Sequence, residues 1–344
     1  MSAAQGKPST SRRNFLAGTG LAVAGTAAGA LLGGPTAGTA SAAEPASSAP
    51  PGYAQIPGVS TVVDSSHATP EVTDLLVSFF TAKSAKDVDA TMAFFAHHPF
   101  SYLDGTLGWE FLTWESLRDL FAKFMPNWPD HGSYPTKVLG DSTSAVVIFT
   151  NIAGLFGPSE IRTISTVNFE GGKVLRWLDQ WDGRHFGLKN LAELGQYPQS
   201  KFPTNWQEST VGETAAPPMK RAAHELTAAV NGGDLAGISA LLAPDVVLAD
   251  NPAHLRIVGH RSVAAYLARG VLPYAMPGAG VRHVVGSASG GGYEWTNSAG
   301  KVPRGVNAVE LDAQGRITEL TSMWDGSLAT PATLTSLAES AIED

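Results

Sequence analysis

Glu170-Gly171-Gly172-Lys173-Val174-Leu175-Arg176-Trp177-Leu178-Asp179-Gln180-Trp181-Asp182-Gly183 and Asp312-Ala313-Gln314-Gly315-Arg316-Ile317-Thr318-Glu319-Leu320-Thr321-Ser322-Met323-Trp324-Asp325-Gly326 are two versions of one phrase. In each, a glycine turn leads into an alternating run that ends in Trp-Asp-Gly. An apolar alternating run also precedes each turn, so each phrase closes a β-hairpin. Two such hairpins predict two small α+β domains, each with a curved, mostly antiparallel sheet.

Working outward, each hairpin follows the same series of elements. Upstream of the first, Thr69-Pro70 is an N-cap with proline at the first helical position. Val72, Leu75, Leu76, Phe79 and Phe80 follow on one helical face. A short helix through Val88, Met92 and Phe95 comes next, then a strand into a turn over Ala96–Gly105. Thr113 caps a third helix with Leu117, Leu120, Phe121 and Phe124 inward, and a strand meander ends the unit. Upstream of the second hairpin, Pro217-Pro218 opens a helix through Leu226 and Asp234 caps another. A strand then runs to Asp250, and a third helix turns Val263, Tyr266 and Leu267 inward. Matching elements lie about 145 residues apart, which is a duplication at domain scale. Three helices segregated from an antiparallel meander give an α+β layer, twice.

The chain has 344 residues, 43% of them hydrophobic and 16% charged, with a net charge of -8 and no cysteine. About 300 residues remain once the N-terminus is set aside, enough for two domains. Without a basic stripe, nucleic acid is not an expected partner. Without cysteine there are no disulfides, thiolate nucleophiles or Cys-rich zinc sites. Ser11-Arg12-Arg13-Asn14-Phe15-Leu16 reads as a twin-arginine export motif, followed by a weakly apolar run and a small-residue cleavage signal at Ala40–Ala43. That run is too rich in glycine to span a bilayer, so export without stable membrane insertion is expected. The expected organisation is a signal over 1–43, a flexible lead-in over 44–66, domains over 67–206 and 217–344, and a linker over 207–216.

Several stretches together resemble the nuclear transport factor 2-like superfamily, which includes the SnoaL-like polyketide cyclases, the ketosteroid isomerases and limonene epoxide hydrolase. They are ALLAPDVVLADNP (residues 240–252), GHRSVAAYL (259–267) and LDAQGRITELTSMWDG (311–326). GGKVLRWLDQWDGRHFGLKNLAELG (171–195) is most similar to the SnoaL-like branch. The resemblance implies cone-shaped domains and many chemistries. It implies that Asp250 stands where ketosteroid isomerases keep their aspartate base, and Asp104 in the same place in the first domain. It also implies that Asn307 stands where those enzymes keep an oxyanion-hole acid, with Ser165 nearest to it in the first domain. The isomerases' first-helix tyrosine is replaced by Leu226, and neither domain carries an Asp-Arg-Asp epoxide hydrolase set.

The residues add their own argument. Asp104, before Gly105, reads either as a turn-former bonding its own backbone or as a pocket acid. Asp250, before Asn-Pro, carries the same two readings. With period two, Leu175, Trp177, Asp179 and Trp181 share one strand face and Arg176, Leu178, Gln180 and Asp182 the other. An acid between two tryptophans reads as a pocket wall, or as an aromatic face that meets another domain. The second hairpin has Ser322 in place of Asp179, which favours the first domain as the active one. Tyr102 alternates with Asp104 and is expected to face the same cavity. His97 and His98 point to opposite faces and do not form a metal site; His98 and His185 are candidates for orienting a carbonyl. Asp182 and Asp325 read as caps of the strand-end turns.

The expected function is that of an exported, cofactor-independent enzyme acting on an apolar, carbonyl-bearing small molecule by cyclisation, isomerisation or dehydration. Asp104, Asp179 and Asp250 are the candidate acids. Tyr102, Ser165, Trp177, Trp181, Asn307 and His98 are the candidate substrate contacts, and no metal is implied. The alternative is a non-catalytic small-molecule-binding or protein-interaction module. In either case the two domains are expected to pack as a pseudo-dimer within one chain.

Overall fold

Two sheets run through the chain in the same strand order. The structure, a computed structural model, describes residues 52–56, 58–198, 201–202, 205–271, 279–298 and 300–342. The expected signal over 1–43 lies outside them. Residues 53–104 carry β1 (Tyr53–Gln55), β2 (Val62–Ala68), α1 (Pro70–Ser84), α2 (Val88–Met92) and β3 (Ser101–Asp104). They are followed by β4 (Trp109–Phe111), α3 (Trp114–Phe124), β5 (Ser133–Gly140), β6 (Ser144–Asn151), β7 (Ile161–Glu170) and β8 (Lys173–Trp181). Two short helices, α4 (Gly183–Phe186) and α5 (Leu188–Leu194), end repeat 1. Thr113 caps α3 by accepting the Ser116 amide, whereas Thr69 has the extended N-cap backbone with no side-chain bond.

Repeat 2 has α6 (Pro217–Gly232), α7 (Leu235–Leu241), β9 (Leu242–Asp250), β10 (Leu255–Val258) and α8 (His260–Tyr266). A π-helical turn over Leu267–Val271 leads on to β11 (Gly280–Gly286), β12 (Gly290–Thr296), β13 (Arg304–Leu311), β14 (Ile317–Trp324) and α9 (Pro331–Glu339). Asp234 caps α7 through the Gly237 amide. The fold is α+β. The first sheet reads β4-β3-β8-β7-β6-β5-β2-β1 and the second β10-β9-β14-β13-β12-β11, so the common six strands match one for one. Most pairings are antiparallel, but β3 with β8, β9 with β14 and β2 with β5 are parallel.

Part of the lead-in expected to be flexible is strand. Val63 of β2 is fully buried and Ile56 nearly so, and β2 pairs with β5. Val62-Val63 begins a short alternating run, which the Pro- and Ser-rich context conceals.

In repeat 1 one face of the sheet packs under α1–α3 around Leu76, Phe79, Phe80, Phe149 and Trp177. The opposite faces of the two sheets meet through Leu103, Leu139, Val146, Ile164 and Leu178 from one and Val285, Val306, Ala308 and Met323 from the other. Within this apolar layer lies an ionic group. Arg176 is 1% exposed and holds Glu294 with two parallel bonds, Nη1–Oε1 at 2.6 Å and Nη2–Oε2 at 2.9 Å. Arg282 reaches the other edge of Glu294 at 2.5 Å, and Glu208 closes the ring by accepting from both arginines. Burial would raise Glu294, but the two guanidiniums hold it well below the ordinary carboxylate range.

The Trp-Asp-Gly motifs meet as well. Asp182 caps its own turn through the Arg184 amide and also accepts the Gly326 amide. Asp325 accepts the Ser327 amide and the Gly183 amide. Each glycine is required by this exchange. A Cβ on Gly326 would sit 2.5 Å from Asp182 Oδ1, and one on Gly183 would sit 2.7 Å from Asp325 Oδ1.

Candidate functional site

The parallel pairing of β3 with β8 sets Asp104 directly opposite Asp179 and Tyr102 opposite Trp177. Both acids face the helix side of the sheet, because their neighbours Leu103 and Leu178 point into the layer between sheets. There they line a cavity of about 60 Å³, room for a few water molecules. Its walls are apolar: Leu107, Trp109 and Phe111 around the β3–β4 hairpin, Leu120 and Phe121 from α3, Phe156, Ile161, Trp181, and Leu194 from α5. Lys83, Tyr102, Asn151 and Thr163 supply further polar groups. Helix α5 is tied down by Trp109 Nε1, which donates to the Gly195 carbonyl at 3.0 Å.

Asp179 is 7% exposed and accepts three bonds. Tyr102 Oη donates to Oδ2 at 2.5 Å, while Trp177 Nε1 at 2.6 Å and the Ser165 hydroxyl donate to Oδ1. Burial pushes its pKa up; the bonds from Ser165 and Tyr102 offset part of that rise.

Asp104 realises both readings at once. Its Oδ1 accepts the Thr106 and Leu107 amides at 2.9 and 2.7 Å, which is the turn, and Trp181 Nε1 lies 3.0 Å from Oδ2, on the cavity side. Burial, and next the charge of Asp179, push Asp104 up to about 7. The two acids stand at register-paired positions in an apolar recess, where burial raises both and the charge of Asp179 adds to the rise of Asp104.

Lys83 had no place in the sequence expectation. It is 4% exposed, and its ammonium lies 5.4 and 5.0 Å from the ring centres of Phe80 and Phe149. Among the described residues its side chain has no hydrogen bond and no ion pair within 4 Å. Burial pulls it down to about 8, against the opposing pull of Asp179. The sequence carried a signal for it: Val72, Leu76, Phe79 and Phe80 form the inward stripe of α1, and Lys83 falls on that same stripe.

Repeat 2 repeats the frame and changes the contents. Trp324 Nε1 donates to Asp250 at 3.1 Å, as Trp181 does to Asp104. Ser322 stands opposite Asp250, where repeat 1 has Asp179. Tyr266, sixteen residues after Asp250, donates to it at 2.5 Å. The residue at the same spacing from Asp104 is Leu120, which leaves space in the repeat-1 cavity. Tyr266, Tyr293, Trp295 and Trp324 are all fully or almost fully buried around this point. Burial raises Asp250 too.

The remaining expected contacts divide. Trp181 lines the cavity, whereas Trp177 lies beneath it in the core and orients Asp179. Ser165 is likewise committed to Asp179. Asn307 belongs to repeat 2 and donates to Tyr293 Oη at 2.8 Å. The expectation for His98 is corrected: it is exposed in the segment before β3 and does not line the cavity. His185 is also exposed and lines a second, more open cleft with Arg162, Asp182, Asp250, His254 and Arg256. No group of three His, Asp or Glu side chains suited to a metal ion occurs among the described residues. No helix among them is long and apolar enough to cross a membrane.

No protein-family model matches the chain, and no curated protein matches it. Similar solved structures include a steroid delta-isomerase from Pseudomonas aeruginosa, with 20% identity over 38% of this chain and 93% of that one and a TM-score of 0.29. An uncharacterized bacterial protein with a cystatin-like fold from Silicibacter pomeroyi has 21% identity over 36% of this chain and 85% of that one, at TM-score 0.30. An NTF2-like protein of unknown function from Burkholderia xenovorans has 17% identity over 32% and 82% of the two chains, at TM-score 0.28.

Proposed function

We propose that repeat 1 is a cofactor-independent enzyme of the SnoaL-like type. It moves a proton beside the carbonyl of an apolar small molecule, with cyclisation, isomerisation or dehydration as the outcome. The observation that carries this reading is the facing pair Asp104 and Asp179 on an apolar cavity. Asp104 is the base, because one of its oxygens is held only by Trp181 and its pKa of about 7 suits proton exchange at neutral pH. Asp179, held by Tyr102 on one oxygen and by Trp177 and Ser165 on the other, supplies the charge that raises its neighbour. Repeat 2 is the non-catalytic half, with Tyr266 occupying the place beside Asp250. The two halves act as one pseudo-dimer, exported by the twin-arginine route.

Leu120→Tyr tests the reading without touching the acids. It copies into repeat 1 the tyrosine of repeat 2, and the ring is expected to fill the cavity and bond Asp104. With cyclohexanone in D₂O, the wild-type protein is expected to speed deuterium uptake at the α-carbons above buffer, and the variant to return to background while still folding. Equal uptake by the wild-type protein and Leu120→Tyr would remove the cavity from the reaction. A second reading, a binding module with structural acids, has the three donors to Asp179 in its favour. It predicts cyclohexanone binding without deuterium uptake.

A further inference from the structure

Removing a proton beside a carbonyl leaves negative charge on its oxygen, and some group has to stabilise that charge. In the repeat-1 cavity the obvious donors are already committed. Tyr102, Ser165 and Trp177 donate to Asp179, and Trp181 donates to Asp104. Asn151 and Thr163 also line the cavity, and so does one amine. Lys83 reaches the cavity from the last turn of α1, 96% buried, resting on two phenyl rings, with no bonding partner among the described residues.

We propose that the Lys83 amine forms an imine with a small aldehyde or ketone held in this cavity. The proposal rests on the reading that the cavity takes a carbonyl compound, and it identifies how that carbonyl is activated. The neutral nitrogen attacks the carbonyl carbon; the C–N bond forms and the C=O π pair moves to oxygen, which takes a proton. The hydroxyl takes a second proton and leaves as water while the nitrogen pair forms C=N; of the amine's two protons one is released and one stays on the protonated imine. Amine plus carbonyl gives imine plus water, with no oxidant or reductant. The protonated imine withdraws electrons from the α-carbon, so the base that removes the α-proton generates a neutral enamine instead of an enolate. Asp104, on the wall of the same cavity, is the acid–base group. A lysine brought down to about 8 by burial has roughly a tenth of its amine neutral at pH 7.

The test is reductive trapping on the folded protein. Propanal and sodium cyanoborohydride are added at pH 7, and each alkylated lysine is quantified after digestion. Lys189, 86% exposed in its side chain, is the internal reference. The expected result is labelling of Lys83 at least tenfold faster than Lys189, and its loss in Lys83→Arg and Leu120→Tyr while Lys189 labels as before. Labelling of Lys83 no faster than Lys189 in the wild-type protein would overturn the proposal, whatever the variants do. The two levels separate in the cyclohexanone assay. Deuterium uptake without Lys83 labelling leaves the carboxylate reading standing and removes the imine. Neither uptake nor labelling removes both.

Discussion

Asp104→Asn is expected to slow deuterium uptake into cyclohexanone by a factor of about 10²–10⁴, the range in which a positioned general base contributes. The same substitution is expected to stabilise the protein at alkaline pH. Burial and the Asp179 charge raise Asp104 from 3.8 to about 7, so the native state holds its proton more tightly than the unfolded chain does. Between those two values stability falls as pH rises, and above about 7 the full penalty is present. Asparagine has no charge to desolvate and still accepts the Thr106 and Leu107 amides. Urea midpoints of wild-type protein and variant are therefore expected to converge near pH 4 and to separate at pH 8 in favour of the variant. A variant that loses uptake and is less stable at pH 8 would point to a structural acid instead.

The largest stability effect is expected between the sheets. Glu294→Ala removes the two-pronged partner of a guanidinium that is 1% exposed, and it removes an acceptor from Arg282 and from the Thr166 hydroxyl. Glu208 then faces two arginines alone. Breaking a buried ion pair from one side costs about 3–5 kcal/mol, because the remaining charge stays buried. The double variant Arg176→Met with Glu294→Met removes both charges and is expected to recover much of that loss. Urea midpoints of the single and double variants decide it; a loss below about 1 kcal/mol for Glu294→Ala would show the network to be solvated. Its pH dependence has the opposite sign to that of Asp104. Glu294 is held below its ordinary 4.5, so its contribution is complete above that value and is lost as pH falls toward its native value. The two effects together place the stability maximum on the acid side of neutrality.

The duplicated frame was legible because it is local. The glycine turns, the period-two runs and the repeated Trp-Asp-Gly lie within short windows, and the helices and strands read from them recur in that order, with β1, β2, β4, β10, α4 and α5 added. Asp104, Asp179 and Tyr102 were legible for the same reason, since strand alternation assigns faces. β4 and β10 were missed as strands, being only three and four residues long. Arg176 was assigned to the correct face, but nothing near it in sequence reveals Glu294, 118 residues away. Trp177 and Trp181 share a face in the sequence, yet depth separates them, and alternation carries no information about depth. Lys83 broke an apolar stripe and could have been noticed as a cation on a buried helix face. Leu120 and Tyr266 stand at the same spacing from Asp104 and Asp250, but only the fold shows that Tyr266 reaches its acid.

One carboxyl group is kept protonatable near neutral pH by burial in a largely apolar cavity and by a second acid. A carbon-13 NMR titration of the Asp104 side-chain carboxyl tests this most directly, in the wild-type protein and in Asp179→Asn. The account predicts a midpoint near 7 that moves down when Asp179 loses its charge. A midpoint close to 3.8 in both proteins would contradict it.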